Sequence, residues 1–225
     1  MPDTAYNCAS AVSNGTRGLV GHRYEPDNSD DSPYYGYRRD IRYLTFASST
    51  STSSFGNLTN AVADSGSHEG DPRGIFTGGY AHQGGSSGSH KNIDYLTIAS
   101  TGNASDFGDL NGNGRQSFAG CGSTIRAWFC GGWTGARMND MQYITVASTG
   151  NGTDAGDLTD WRNATMGASD NEKAEIVGGY AASTSGGSAS RVSSIHYFTI
   201  SSTNNATSSY NLTAINDQME CAAGT

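Results

Sequence analysis

A single phrase recurs four times along this chain. "IRYLTFASSTSTSSFGNL" at 41–58 returns as "IDYLTIASTGNASDFGDL" at 93–110, as "MQYITVASTGNGTDAGDL" at 141–158 and as "IHYFTISSTNNATSSYNL" at 195–212. Self-similarity of this kind restricts a chain to solenoids, propellers and arrays, in which each unit buries its faces only against its neighbours. Tyr43, Tyr95, Tyr143 and Tyr197 mark the register with spacings of 52, 48 and 54 residues, and Thr45, Thr97, Thr145 and Thr199 follow two residues later. Leu58, Leu110, Leu158 and Leu212 each stand fifteen residues beyond the marker Tyr. An inner half of constant length predicts a strand, a turn and a second strand whose register cannot slip.

A second landmark precedes each marker. It reads "RGLVGHRY" at 17–24, "RGIFTGGY" at 73–80, "RAWFCGGW" at 126–133 and "KAEIVGGY" at 173–180, with His22 and Arg23 in place of the Gly pair in the first copy. From its closing aromatic to the marker Tyr the distance is 19, 15, 10 and 17 residues, so length varies in one connection per repeat. Repeat folds gather such connections on a common face. Between each Leu and the next basic landmark lies a segment rich in small residues ("AVADSGSH", "SFAGCGST", "ATMGASDN"), which suits a strand crowded near an axis. In "IDYLTIAS", Ile93, Tyr95 and Thr97 share one side while Leu96 and Ile98 share the other. Apolar side chains on both faces are what a strand needs when sheets cover it above and below.

The predicted fold is therefore all-β, a β-propeller of four blades of about 50 residues, each of four antiparallel strands, closed by a terminal strand. Composition agrees. Gly is abundant at 31 residues and Pro scarce at 4, and no stretch keeps a helical apolar spacing over three turns. Two segments compete for the innermost slot of the first blade: "YNCASAVSNGT" near the N-terminus and "NLTAINDQMECAAGT" at the C-terminus. The reading preferred here takes residues 1–16 as an arm and residues 17–225 as the propeller, with the C-terminal segment completing blade one so that no edge stays unpaired.

A formal charge of −8 excludes a nucleic-acid partner of the ordinary kind, which requires a basic face. The first residues lack the basic and apolar regions of a signal peptide, and no apolar run is long enough to span a bilayer. Cys8, Cys121, Cys130 and Cys221 show no CxxC spacing and read as reduced, packed thiols. Asn103, Asn151 and Asn205 hold one place in their repeats and suit a hairpin turn.

The Gly pair ending one strand, followed after a variable loop by an aromatic in the next, resembles the kelch-type propeller repeat. The longer phrase "IDYLTIASTGNASDFGDL" with its upstream "GIFTGGY" is similar to repeats in structural proteins of tailed bacteriophages of aquatic bacteria. The resemblance covers nearly the whole chain after residue 16. It departs at His22 and Arg23 and at Ser209-Tyr210, where the other copies carry Phe-Gly or Ala-Gly. It implies a virion component on a tail, fibre or capsid surface, made in the host cytoplasm. The partners implied are other virion proteins and a host-surface glycan or protein, with no membrane insertion and with oligomerisation within the particle.

The residues give no catalytic signature: no nucleophile elbow, phosphate loop or HExxH occurs. No Tyr/Cys/His set matches the copper site of the kelch-type oxidases, so neither enzyme activity nor a cofactor is expected. His82, His90 and Asp94 around "AHQGGSSGSHKN" read as a solvated loop in preference to a metal site. "DLNGNG" at 109–114 imitates a calcium loop, but its twelfth position is Gly120 where a bidentate Glu is required. The basic column Arg17, Arg73, Arg126 and Lys173 reads as strand-entrance charge, and the Tyr column as core between blades. The candidate contact is the longest variable loop, "EPDNSDDSPYYGYRRD" at 25–40, with Tyr34, Tyr35, Tyr37, Arg38 and Arg39. Tyr and Arg are the side chains that dominate recognition surfaces. The alternative function is a carbohydrate-binding lectin or a glycan-active enzyme.

Overall fold

In a computed structural model, which describes residues 9–24, 36–83 and 86–213, the chain is a four-bladed β-propeller with no helix among the described residues. Blade one is β1 (Ser10–Ser13), β2 (Arg17–Gly21), β3 (Asp40–Thr45) and β4 (Ser53–Asn57), hydrogen-bonded in that order. Blade two opens with β5 (Gly66–Gly70) and β6 (Arg73–Thr77). A separate hairpin of β7 (Tyr80–Gln83) and β8 (Ser86–Ser89) follows, and β9 (Asn92–Thr97) and β10 (Ser105–Asp109) complete the blade. Blade three is β11 (Ala119–Gly122), β12 (Arg126–Cys130), β13 (Met138–Thr145) and β14 (Thr153–Asn163). Blade four is β15 (Met166–Ser169), β16 (Lys173–Val177), β19 (Ser194–Thr199) and β20 (Thr207–Asn211). Between its second and third strands, β17 (Tyr180–Ala182) and β18 (Ser190–Arg191) extend the sheet of blade three along the tail of β14.

The two faces read from alternation are the two faces of the blades. Val12, Leu19, Ile41, Phe55 and Leu58 of blade one pack against Phe76, Leu96 and Ile98 of blade two. The same positions one repeat on, Ile75, Ile93, Phe107 and Leu110, pack against Phe129, Ile144 and Val146 of blade three. Trp128, Met141 and Leu158 then meet Ile176, Phe198 and Ile200 of blade four. The Tyr column follows the same rule for Tyr43, Tyr95 and Tyr143, which edge these clusters. Among the described residues no such cluster joins blade four to blade one.

That asymmetry corrects one expectation. Leu58, Leu110 and Leu158 are 2–3 % exposed, but Leu212 is only half-buried, because among the described residues no blade packs over it. A second correction concerns closure. The innermost slot of blade one is filled by β1, paired Ser10↔Gly21 through Ser13↔Gly18, and not by the C-terminal segment. Residues 10–13 are therefore sheet, not arm. Val12 joins the first cluster, Ser10 Oγ donates to the Ser65 carbonyl, and Ser13 donates from its backbone and hydroxyl to Glu69 Oε2, both at 2.9 Å. The terminal segment 214–225 lies outside the described residues.

Polar latches repeat with the apolar faces. Asn103, Asn151 and Asn205 do sit in turns, but each side-chain oxygen accepts a 3.0 Å bond from a backbone N–H of the preceding blade, at Asn57, Asp109 and Asp157. The chains pass so closely there that a Cβ on Gly56 would lie 2.0 Å from the Gly102 carbonyl oxygen, which explains the glycine. A second latch joins the third strand of one blade to the residue after the preceding blade's Leu. Asp94 accepts from the N–H and hydroxyl of Thr59, Gln142 brackets the backbone of Asn111, and His196 Nε2 meets the Thr159 hydroxyl at 2.9 Å.

Candidate functional site

The described parts of the variable connections meet on one face, where Tyr37 touches Tyr80, Tyr80 shares a groove with Trp133 and the Arg137 N–H donates to the Ser185 carbonyl, and the closing aromatics of the second landmark line it. Each is held by backbone pairing: Tyr80 with Ala63, Trp133 with Gln116 and Tyr180 with Asn163. Tyr24 and Tyr37 pair in the same way in blade one, and their rings lie 5.0 Å apart. Tyr37 then leans on Tyr80 at 6.2 Å, so the first loop is tied to the second blade through a row of three tyrosines. Burial in this row, and next its neighbours Tyr80 and Tyr24, push the Tyr37 phenol above its ordinary range. Arg137 covers Trp133 and Arg191 covers Tyr180, with cation–ring distances of 5.4 and 5.5 Å.

Of the five residues expected to form a contact, Tyr34 and Tyr35 lie outside the described residues. Tyr37 is half-buried within the aromatic row. Arg38 is half-buried and its backbone N–H donates to the Arg23 carbonyl, while the Arg39 side chain is exposed. The structure thus brings Tyr37 together with Tyr24 and Tyr80, neither of which lies in the expected set.

Beside this row two connected grooves open between blades two and three. One, of about 420 Å3, runs between Tyr80 and Trp133, with Gln116, Ser89, Asn113 and Thr134 along it. The other, of about 770 Å3, is lined by Asn60, His90, Lys91, Asn92 and Asp109 and shares Ser89 and Asn113 with the first. Gln116 Oε1 and Asn92 Oδ1 are buried acceptors without a protein donor, and one of them lines each groove. Two aromatic walls with amide and hydroxyl groups between them are the chemistry that holds a polar ligand with apolar faces. Among the described residues the lining holds one carboxylate, Asp109, which pairs with Lys91 at 3.1 Å. Asp94, weighed as a metal ligand, spends both oxygens on Thr59, and no cluster of three His, Cys, Asp or Glu suited to a metal occurs among the described residues. Cys121 and Cys130 are free, buried thiols.

Sequence reasoning missed two buried arginines that build the floor of this face. Arg115 donates to the Gly131 carbonyl at 3.1 Å and to Asp140 at 2.5 Å. Arg162 donates to the Gly178 carbonyl at 3.2 Å, to Asp160 at 2.6 Å, and to His196 Nε2 at 2.7 Å. Each stands sixteen residues before the first glycine of its pair, a spacing visible in the sequence, and Val62 takes the same place before Gly78. His22 occupies that glycine's place in blade one, at φ 49 against 64, 68 and 61 for Gly78, Gly131 and Gly178. It is fully buried, with Nδ1 2.9 Å from the Ser65 hydroxyl. Neither protein-family models nor curated proteins gave a match to this chain.

Proposed function

We propose that this protein is a non-enzymatic adhesive module of a virus particle, and that it makes its contact through the face built by the variable connections. The observation that carries the reading is the aromatic row Tyr24–Tyr37–Tyr80, continued across a polar groove by Trp133. Aromatic side chains held rigidly by strand pairing supply contact area at low entropic cost. The virion setting is supported by the resemblance of the repeat to tailed-phage structural proteins. The alternative of a glycan-active enzyme is less well supported by the grooves, since glycoside hydrolysis ordinarily needs two carboxylates flanking the bond and, among the described residues, the lining offers Asp109 alone.

The groove between Tyr80 and Trp133 favours a glycan as the ligand, because sugar rings stack on aromatic faces while amides bind their hydroxyls. The test is a glycan array and a host-cell attachment assay with the wild type and with Trp133→Ser and Tyr37→Ser. Loss of binding in Trp133→Ser with unchanged folding supports the glycan reading. Loss of attachment in Tyr37→Ser alone points to a protein contact on the row. Attachment unchanged in both variants overturns the reading, and release of free sugar from a bound glycan would replace it with catalysis.

A further inference from the structure

Every internal junction between blades is made in the same four ways. An apolar face meets an apolar face, an Asn oxygen accepts a backbone N–H, and the second latch closes behind Leu. In the fourth, an arginine at the head of the second strand donates to the next blade: Arg17 to the Ala99 carbonyl at 2.7 Å, Arg73 to Val146 at 2.6 Å and Arg126 to Ile200 at 3.3 Å. Two faces of the molecule carry the halves of a fourth junction that the described residues do not make. None of the four contacts joins blade four to blade one among the described residues.

On blade four the outward face presents Lys173, Glu175, Ile195, Tyr197 and Leu212. Lys173 is exposed and the others are half-buried, where their counterparts Ile75, Ile93 and Leu110 are buried. On blade one the opposite face presents Val20, Arg42, Leu44 and Phe46. Phe46 is 55 % exposed, whereas its counterparts Ile98, Val146 and Ile200 are buried.

The substitutions on these two faces are reciprocal. Glu175 stands where the other blades have Leu19, Ile75 and Trp128, and Arg42 stands where they have Asp94, Gln142 and His196. In the junction of blades three and four, Trp128 packs on Phe198 at 4.9 Å. The repeat rule therefore lays Glu175 over Leu44 and the root of Arg42 beside Thr213, the residue after Leu212, and from there the long Arg42 side chain lies two residues from Leu44 on the same strand face. Only here does an acid face a base across the contact, since Asp94 and His196 hold the second position opposite the apolar Leu19 and Trp128.

We infer that the outward face of blade four docks on the outward face of blade one in a second copy of this chain, head to tail, with Glu175 paired to Arg42 of that copy. The contact is heterologous, so one copy offers one half of it and its neighbour the other. A charge pair inside an apolar patch sets the partner and its orientation.

The test uses the full chain in sedimentation velocity from about 1 to 100 μM, with circular dichroism as the folding control. Wild type is expected to rise in mass with concentration, with Glu175→Arg and Arg42→Glu each monomeric on their own. An equimolar mixture of those two variants is expected to pair again, because Arg at 175 then meets Glu at 42 of the other chain. The expected shift is at least tenfold in dissociation constant for either single variant. Wild type that stays monomeric throughout, or single variants that associate like wild type, overturns the inference. So does a mixture that stays monomeric while the chain carrying both changes regains wild-type stability as a monomer, which would put the contact within one chain.

Discussion

Arg73 of blade two donates a 2.6 Å hydrogen bond to the carbonyl of Val146 in blade three, while its guanidinium lies 4.5 Å from the centre of the Tyr95 ring in its own blade. Arg17 and Arg126 repeat the arrangement over Tyr43 and Tyr143. The basic column is thus a set of wedges between blades, and the Tyr column is the surface each wedge rests on. Among the described residues no blade follows Lys173 for it to reach, so the position does not call for a planar, stacking cation.

Arg73→Ala should therefore destabilise by about 1–3 kcal/mol, from a charge-assisted hydrogen bond and a cation–ring contact. Lys173→Ala should stay within about 0.5 kcal/mol of wild type in dilute monomeric protein. Urea unfolding of the two variants side by side checks the contrast. Equal losses would remove the distinction between inner and outer blades.

A similar contrast applies to the Leu column. Leu58→Ala should cost about 2–5 kcal/mol, as for other buried leucines, because Leu58 sits between two blades at 2 % exposure. Leu212→Ala should cost about 1 kcal/mol or less, since the side chain is already half in water. Thermal melts at matched concentration would show it.

Removing residues 1–13 should open blade one. The deletion takes Val12 from the first apolar cluster and strips the hydrogen-bonded partner from β2. We expect faster amide exchange through residues 17–21 and a loss of solubility from the exposed edge. Unchanged exchange there would mean that another segment can fill the slot.

Acid should weaken the fold before carboxylates matter. Burial, with help from His90, lowers the His22 imidazole to about 3, and burial beside the Arg162 guanidinium lowers His196 to about 4. Burial lowers His68 as well. Unfolded histidines bind a proton near pH 6.5, so below that value the unfolded chain holds more protons than the folded one and stability falls as pH falls towards 4. Asp94 and Asp157, raised by burial, act in the opposite sense but are two groups against four, since burial lowers His90 too. His196→Gln, which places blade three's latch residue in blade four, should shrink the loss in melting temperature between pH 7 and pH 4.5. An unchanged pH profile would show that His196 does not carry it.

What could be read from sequence was whatever the repeat states more than once. The alternation in "IDYLTIAS" identified the two faces of β9, and the invariant Tyr-to-Leu spacing set the phase of every blade. What escaped was information held by a single copy or by distant partners. Both candidates for the slot of blade one are short and rich in small residues, and the bonds of Ser10 and Ser13 to Ser65 and Glu69 leave no local mark. Asn103 satisfied turn chemistry so well that its bond to the preceding blade was invisible. The aromatic row was half-seen: Tyr37 was singled out for its composition, whereas Tyr80 and Trp133 looked like punctuation of the landmark. Arg115 and Arg162 escaped notice because nothing nearby in sequence announces the Gly131 and Gly178 carbonyls they reach.

The placement of β1 also determines how the molecule would respond to tension. Apart from β17 and β18, which leave blade four's stretch of chain to join the sheet of blade three, each blade takes its strands from its own stretch, and among the described residues no strand from one end of the sequence is sewn into the sheet at the other. A propeller stitched across its ends must break that stitch before anything else yields. Among the described residues there is none to break, so a pull on the two ends would peel blades from the outside inward. Each would release about 50 residues, or roughly 17 nm of extended chain. A regular sawtooth of that spacing under an optical trap is the expected record, and one abrupt rupture of the whole molecule would contradict it.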